Sequence, residues 1–394
     1  VNKTREKLNW EYPPFDIPAE IYDAWDFKDQ GSKLESEWSQ LLEMYEREYP
    51  ELAKEYKRVM SLEEPQDLNN SLEDLAQKVQ IDKPEIATRK SSEMVINVLG
   101  PLMPELIGGS ADLTGSNNTN WSGTIALTAQ NFNGNYINYG VREFAMTGIM
   151  NGMVLHGGVR PYSGTFLVFL DYAKNAVRLA ALMQLPTILV YSHDSIMLGE
   201  DGPTHQPIEQ LTSLRTTPGI ETWRPCDTTE TVYAWKSAIN NNANPTALVL
   251  SRQNLPTAER TDDQVKLIDK GGYIIYEPSQ KPKLVLISSG SELFTSILVA
   301  KEMSSKLAIR VISMPCTERF DSQTQEYKDS VLGTDTIRMA IEASHEDWWR
   351  KYVGTEGYVL GMDSFGESAP GGVLAEHFGF TKEKIISAIE KFSL

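Results

Sequence analysis

The chain has 394 residues and a net charge of −17, with 37 basic against 54 acidic side chains. This length predicts two or three domains, and 41% hydrophobic with 23% charged residues excludes a collagen-like, low-complexity or mainly disordered chain. The acidic balance lacks the basic footprint of a nucleic-acid binder, so neither DNA nor RNA is an expected partner. No run approaches 18 consecutive apolar residues and Val1-Asn2-Lys3-Thr4-Arg5 leads into charged sequence, so neither a membrane span nor an export signal is expected. Cys226 and Cys316 are too few and too far apart for a disulfide framework or a zinc site, which makes a reducing, cytoplasmic location the default.

In chain order, residues 1–85 come first, with 11 basic and 21 acidic side chains. Glu11-Tyr12-Pro13-Pro14-Phe15-Asp16-Ile17-Pro18 reads as an extended connector, and together with a first residue that is not methionine it suggests sequence upstream. Leu34, Trp38, Leu41, Leu42, Tyr45 and Tyr49 recur at three- and four-residue steps. Ser32 and Glu35 stand before them in capping-box spacing, so the pattern predicts one helix between Ser32 and Met60 whose apolar stripe lies across another domain. From Ala87 the pattern alternates between strands near Leu106–Gly109, Tyr136–Tyr139, Thr187–Ser192 and Ala247–Ser251 and helices near Ser91–Leu99, Glu143–Leu155, Leu170–Leu185 and Thr229–Asn240. A second series follows Asp269, with strands near Tyr273–Tyr276, Leu284–Ser288, Ile309–Ser313, Ile337–Glu342 and Tyr358–Gly361, and helices near Glu292–Ser304, Gly372–Phe378 and Thr381–Lys391. Arg252–Lys270 reads as the polar linker between them. The expected fold class is α/β: two doubly wound, mainly parallel domains (86–255 and 270–394) behind a helical interdomain arm (1–85).

No glycine-rich loop ends in Gly-Lys-Ser/Thr, and Gly108-Gly109-Ser110 and Ser289-Gly290-Ser291 read as tight turns. Gly199-Glu200-Asp201-Gly202 with Asn240-Asn241-Asn242 fails as a diphosphate and metal signature, because Glu200 interrupts the tripeptide and the asparagines end a helix about forty residues on. No residue is therefore assigned to a metal. The densest polar cluster, His193 to Gln206, follows an apolar strand and suits a binding loop in which histidines bond hydroxyls or move protons. Glu143 opens a largely apolar helix after a strand, either as a functional carboxylate or as a plain helix-dipole partner. Gly164 to Tyr172 carries aromatics at three-residue steps, which in isolation reads as core helix packing.

Taken together, Gly109-Ser110-Ala111-Asp112-Leu113 with Ser116-Asn117, Tyr139-Gly140-Val141-Arg142-Glu143-Phe144, Gly164 to Tyr172, His193 to Gln206, Arg224-Pro225-Cys226-Asp227, Leu250-Ser251-Arg252-Gln253-Asn254-Leu255 and Ser364-Phe365-Gly366-Glu367-Ser368-Ala369-Pro370 resemble transketolase over nearly the whole chain. The resemblance implies thiamine-diphosphate-dependent transfer of a two-carbon glycolaldehyde unit from a ketose phosphate to an aldose phosphate, in the pentose phosphate pathway. It further implies a cofactor pocket of Asp112, Glu143, Phe166, Phe169 and Tyr172, in which Glu143 bonds the pyrimidine ring nitrogen. His205 would assist proton transfer, and His193 and Asp201 would bind substrate hydroxyls. Arg89, Ser116, His193 and Arg252 would hold the phosphate. Gly115 departs from the proline many relatives carry before the serine.

The family has an N-terminal domain for the diphosphate and its magnesium or calcium, a middle pyrimidine-binding domain and a C-terminal domain. This chain looks like the last two behind the arm. The resemblance thus implies that the diphosphate-binding domain is absent, that the metal ligands lie on it, that the chain alone is inactive, and that its partners are sugar phosphates, a second copy of itself and that N-terminal half. A dihydroxyacetone synthase-like enzyme and a non-catalytic partner-binding subunit are the alternatives. Keeping Glu143, His193, Asp201, His205 and Arg252 together weighs against the latter.

Overall fold

The computed structural model describes residues 1–391, in two compact units, Val1–Ser61 and Leu62–Leu394. The first unit is helical. The single helix expected between Ser32 and Met60 is in fact two, Lys28–Glu48 and Pro50–Met60. Pro50 causes the break: it has no N–H to donate to the preceding turn, and it pushes Tyr49 out of helical geometry (φ −132°, ψ 64°). Ser32 and Glu35 lie inside the first helix, which starts at Lys28, so the expected capping box does not form there. Leu34, Trp38, Leu41 and Tyr45 are exposed.

The second unit holds two sheets. The first has six parallel strands: β1 Leu106–Ser110, β2 Tyr136–Asn138, β3 Arg160–Phe166, β4 Ile188–Ser192, β5 Glu221–Trp223 and β6 Thr246–Leu250, in the order β2-β1-β3-β4-β6-β5. The second has β7 Tyr273–Tyr276, β8 Leu284–Ser288, β9 Ile309–Ser313, β10 Ile337–His345 and β11 Tyr358–Met362, in the order β11-β10-β8-β9-β7, parallel except for the edge strand β7. Strands β4, β6 and β8 are buried along their whole length, as parallel strands covered by helices on both faces require. That explains why these runs read as continuously apolar.

Two strands escaped the sequence reading. β3 is central, yet its sequence is Arg-Pro-Tyr-Ser-Gly-Thr-Phe. Pro161 cannot donate to a ladder, and the polar residues break the apolar run. β5 has three residues. Within the stretch read as an arm, helix Leu68–Asp82 buries Leu68, Leu72, Ala76 and Val79 and packs against helix Thr228–Asn240 of this second unit. The stretch read as a polar linker is also anchored. Arg260 is enclosed, donating to Asp227 at 2.6 Å, Tyr273 at 2.7 Å and Glu230 at 3.3 Å.

The two sheets are joined by buried ion pairs. Glu342 on β10 receives both arms of Arg215 at 2.7 and 3.0 Å, the indole N–H of Trp349 at 2.8 Å and the Ser344 hydroxyl at 2.9 Å, with no part of either charged group exposed. Despite burial, the Arg215 and Arg224 guanidinium groups hold its carboxyl down to about 2. The depressed value means that Glu342 contributes stability above the ordinary carboxyl range, and that this contribution is lost as pH falls from about 4.5 toward 2. Glu342→Gln should lower the unfolding free energy at pH 7 by about 3–5 kcal/mol, since it leaves Arg215 buried without its charge partner. It should also flatten the acid limb of the stability curve; urea unfolding between pH 7 and 3 checks both.

Candidate active site

A parallel sheet sends every strand's following loop to one edge. Here that edge collects most of the predicted site. Asp112 follows β1, Glu143 follows β2, Phe166 ends β3, His193 follows β4 and Arg252 follows β6.

His193 is buried and takes a left-handed backbone (φ 61°), tolerated by histidine better than by most side chains. Its ring stacks on Phe166, with centroids 3.7 Å apart, and its Nδ1 lies 2.8 Å from Ser192 Oγ. Ser192 Oγ accepts from Asn117 Nδ2 at 2.7 Å, and Asn117 Oδ1 accepts from Ser110 at 3.0 Å. Three strand ends thereby fix one imidazole. Burial, then the charges of Arg89 and Arg252 and the nearby His205, push its pKa down to about 3, so the ring is neutral at physiological pH.

The aromatics form a ladder rather than the core helix face that spacing alone suggested. Phe166 ends a strand, Phe169 closes a 3-10 turn, and Tyr172 lies in the first turn of helix Leu170–Leu182. Phe166 and Phe169 stack at 5.7 Å and 7°, and Tyr172 continues at 5.7 Å with an exposed ring. His205 meets Phe169 and Phe166 edge-on at 5.5 and 6.1 Å, and its Nδ1 bonds the Thr204 hydroxyl at 2.9 Å.

The two arginines meet because the backbone segments before them are laced together. Thr88 N donates to Ser251 Oγ at 3.0 Å, Ser251 N donates to Thr88 Oγ1 at 2.7 Å, and Leu255 N donates to the Ile86 carbonyl at 3.1 Å. Arg89, half-buried, is held below its ordinary pKa by desolvation and by the charge of Arg252. Among the described residues no carboxylate pairs with either guanidinium. Two unpaired cations side by side form an anion site. Beside Arg252 a cavity of about 410 Å³ is lined by Met197, Glu200, Gln253, Ser291 and Glu292, among others.

Glu143 opens helix Glu143–His156 and is 7% exposed, yet its carboxylate takes no hydrogen bond from the described residues. A buried carboxylate with spare acceptor capacity on the same sheet edge as an aromatic ladder fits a planar heterocycle that presents an N–H. The structure brings the other predicted residues less tightly together. Asp112 is exposed in a left-handed turn (φ 64°), Asp201 is exposed, and Ser116 contributes its carbonyl to Arg89 rather than its hydroxyl. Ser192 carried no signal of its own in the sequence and Asn117 entered only through the family resemblance: they are 75 residues apart and meet only across the sheet. Among the described residues no group of three or more His, Cys, Asp or Glu could hold a metal, and no helix is long and apolar enough to cross a membrane.

Residues 84–258 match the family model described as the transketolase pyrimidine-binding domain, residues 271–381 the transketolase-like C-terminal domain, and residues 1–65 the transketolase thiamine diphosphate binding domain. The last match corrects the expectation that this domain is absent. The acidic helical stretch, without a phosphate loop or strands to reveal it, carries sequence of that domain. The expectations built on absence, an inactive chain and a separate N-terminal partner, find no support in matches that run over 99% of this chain.

Transketolase 2 of Vibrio parahaemolyticus is 49% identical over 393 residues and that of Escherichia coli K12 48%, each match covering 99% of this chain and 59% of the relative. The chain therefore spans less than two thirds of the length of these relatives. A transketolase of Pichia stipitis, solved in complex with sedoheptulose 7-phosphate, superposes with a TM-score of 0.89 at 37% identity, over 98% of this chain and 57% of that one. With the pyrimidine-binding and C-terminal models covering both sheets and near-half identity along almost its whole length, the chain belongs to the transketolase family.

Proposed function

We propose that this chain acts in thiamine-diphosphate-dependent transfer of a glycolaldehyde unit from a ketose phosphate to an aldose phosphate. In this reading residues 86–255 form the pyrimidine-binding domain and residues 270–394 the C-terminal domain, behind an arm of residues 1–85 whose last helix, Leu68–Asp82, packs onto the pyrimidine-binding domain. The observation that carries it is the single sheet edge where the partnerless Glu143, the aromatic ladder and a neutral His193 beside two unpaired arginines come together. Bound thiamine diphosphate supplies the electron sink for the two-carbon carbanion equivalent. Magnesium or calcium accompanies the diphosphate, and no residue of this chain is assigned to it.

Glu143 holds the pyrimidine ring nitrogen through a charge-assisted hydrogen bond that burial strengthens. Phe166, Phe169 and Tyr172 would offer the pyrimidine their apolar surface, and Asp112 would hold the cofactor at the rim of the pocket. With Asn117 donating into Ser192 Oγ, the serine proton is available to His193 Nδ1, which leaves Nε2–H as a neutral donor to a substrate hydroxyl. Asp201 takes a second hydroxyl. His205, partly exposed, moves the proton at the substrate's carbonyl oxygen. Because His193 is neutral, the phosphate charge falls to Arg89 and Arg252, with Ser116 beside them.

A second copy of the chain is the partner in this reading, and an exposed apolar face supports it: Phe144, Ile149 and Leu155 on helix Glu143–His156, with Leu179 and Leu182 on helix Leu170–Leu182 packed against it. Two buried, unpaired cysteines agree with a cytoplasmic location.

Three outcomes test the reading. Glu143→Ala should slow exchange of the cofactor C2 proton at least a hundredfold, read by NMR after quenching in deuterated buffer, with the circular dichroism spectrum unchanged; exchange at the wild-type rate would return Glu143 to a helix-dipole role. Arg252→Ala should cost about 1.5–3 kcal/mol, roughly ten- to a hundredfold in kcat/KM, for a phosphorylated acceptor and little for its dephosphorylated analogue. The third concerns pH. The unfolded chain binds a proton at His193 near its ordinary 6.5, whereas the folded protein refuses it until about 3, so stability falls as pH drops below 6.5. His193→Asn, which tolerates the left-handed backbone, should remove up to about 1.4 kcal/mol per pH unit from that slope, measured by unfolding between pH 7.5 and 5.

A further inference from the structure

Arg224 is among the largest fully buried side chains, and beyond its pairing with Glu342 nothing described above uses it in the site. It follows β5, and its side chain crosses to the carboxyl end of β4. There its Nε and Nη2 meet Asp194 Oδ2 at 2.9 and 2.8 Å. Asp194 is the residue after His193. The left-handed backbone at His193 carries a conformational cost, so it persists only where its neighbours hold it on both sides. Ser192, Asn117 and Phe166 hold the ring side, and the Asp194–Arg224 pair holds the chain on the other.

The far side of Arg224 is fixed by the second sheet. Its Nη1 donates to the Ser289 carbonyl at 3.0 Å and to Glu292 Oε2 at 2.5 Å, with Glu342 Oε1 at 3.5 Å. Its backbone bonds to Gly290 N at 3.0 Å and Pro315 O at 2.8 Å. Gly290 has φ 58°, and a Cβ there would fall 2.7 Å from the guanidinium carbon. The Ser289-Gly290-Ser291 turn is thus shaped around this side chain.

We propose that Arg224 is a positioning residue for His193, through which the C-terminal domain sets the geometry of substrate binding. The inference rests on the reading of His193 as a substrate-binding group. A purely structural alternative exists, in which the network only fastens the two sheets together. The charges offer a way to separate the two. Asp194, Glu292 and Glu342 face Arg224 and Arg215, three carboxylates against two guanidinium groups. Asp194→Asn leaves two against two, and therefore loosens the link to His193 without stranding a cation.

In the cofactor-loaded enzyme, Asp194→Asn should raise KM for the donor ketose phosphate five- to twentyfold, with kcat and the exchange rate of the cofactor C2 proton changed less than twofold. Trp349→Phe removes an N–H from Glu342 at the opposite end of the network without touching Asp194, and should leave KM within twofold at a comparable loss in Tm. Arg224→Lys keeps the charge beside Glu292 and Glu342 but loses the fork, and carries the same expectation as Asp194→Asn if the latter does not fold. An unchanged KM in Asp194→Asn, an equal rise in Trp349→Phe, or failure of both Asp194→Asn and Arg224→Lys to fold overturns the proposal. His193→Asn separates this failure from that of the underlying reading. If it too leaves KM unchanged, the substrate role of His193 falls; if it alone raises KM, only the link through Arg224 does.

Discussion

The parallel pairing of β1, β3, β4 and β6 is the constraint from which the site follows. In an antiparallel sheet the loops after successive strands alternate between edges; in this one they all emerge on the same edge. Residues as distant as Asp112, Phe166, His193 and Arg252 are brought to one edge by backbone hydrogen bonding. The burial of both sheet faces makes that pairing hard to shift, because a slip in register would misplace whole rows of enclosed Ile, Leu and Val side chains.

On that edge the electrostatics divide into two regions of opposite character. Among the described residues Arg89 and Arg252 stand together without carboxylate partners, and burial, joined by their field, keeps His193 neutral. Behind His193, the enclosed carboxylates of Asp194, Glu292 and Glu342 share Arg224 and Arg215. The front region is open to an anionic ligand and the rear one is closed. Asp194 and His193 are neighbours in the chain but face these two regions separately, so the turn between them is where the C-terminal sheet and the edge that carries the two arginines meet.

The Thr88–Ser251 lacing shows how little is needed to assemble the front region. Two hydroxyls and two backbone N–H groups hold the chain before helix Thr88–Leu102 against the end of β6, and the arginine following each hydroxyl is delivered to the same spot. Half-burying Arg89 and holding a like charge near it has a cost, visible in its pKa, which is lowered first by desolvation and then by Arg252, and under the proposed function an incoming phosphate offsets it.

The sequence by itself determined the α/β class, the position of most strands, and the presence of Glu143, the aromatic series and the histidine loop. These depend on local signals: apolar runs of five residues that must be buried on both faces, and a helix that begins with an acid. Local signals failed where tertiary context overrode them. β3 is central despite Pro161 and its polar residues, Pro50 divides what periodicity joined, and helix Leu68–Asp82 belongs to the core although its surroundings are acidic. Only the tertiary structure decided that Asn117 and Ser192 orient His193, that Thr88 and Ser251 pair two arginines, and that Arg224 binds Asp194 to the second sheet. Each of these contacts joins residues 30 to 163 positions apart through a few side-chain hydrogen bonds. Such bonds leave no periodicity or composition in the chain, because their geometry exists only once the parallel sheet has brought the strand ends together.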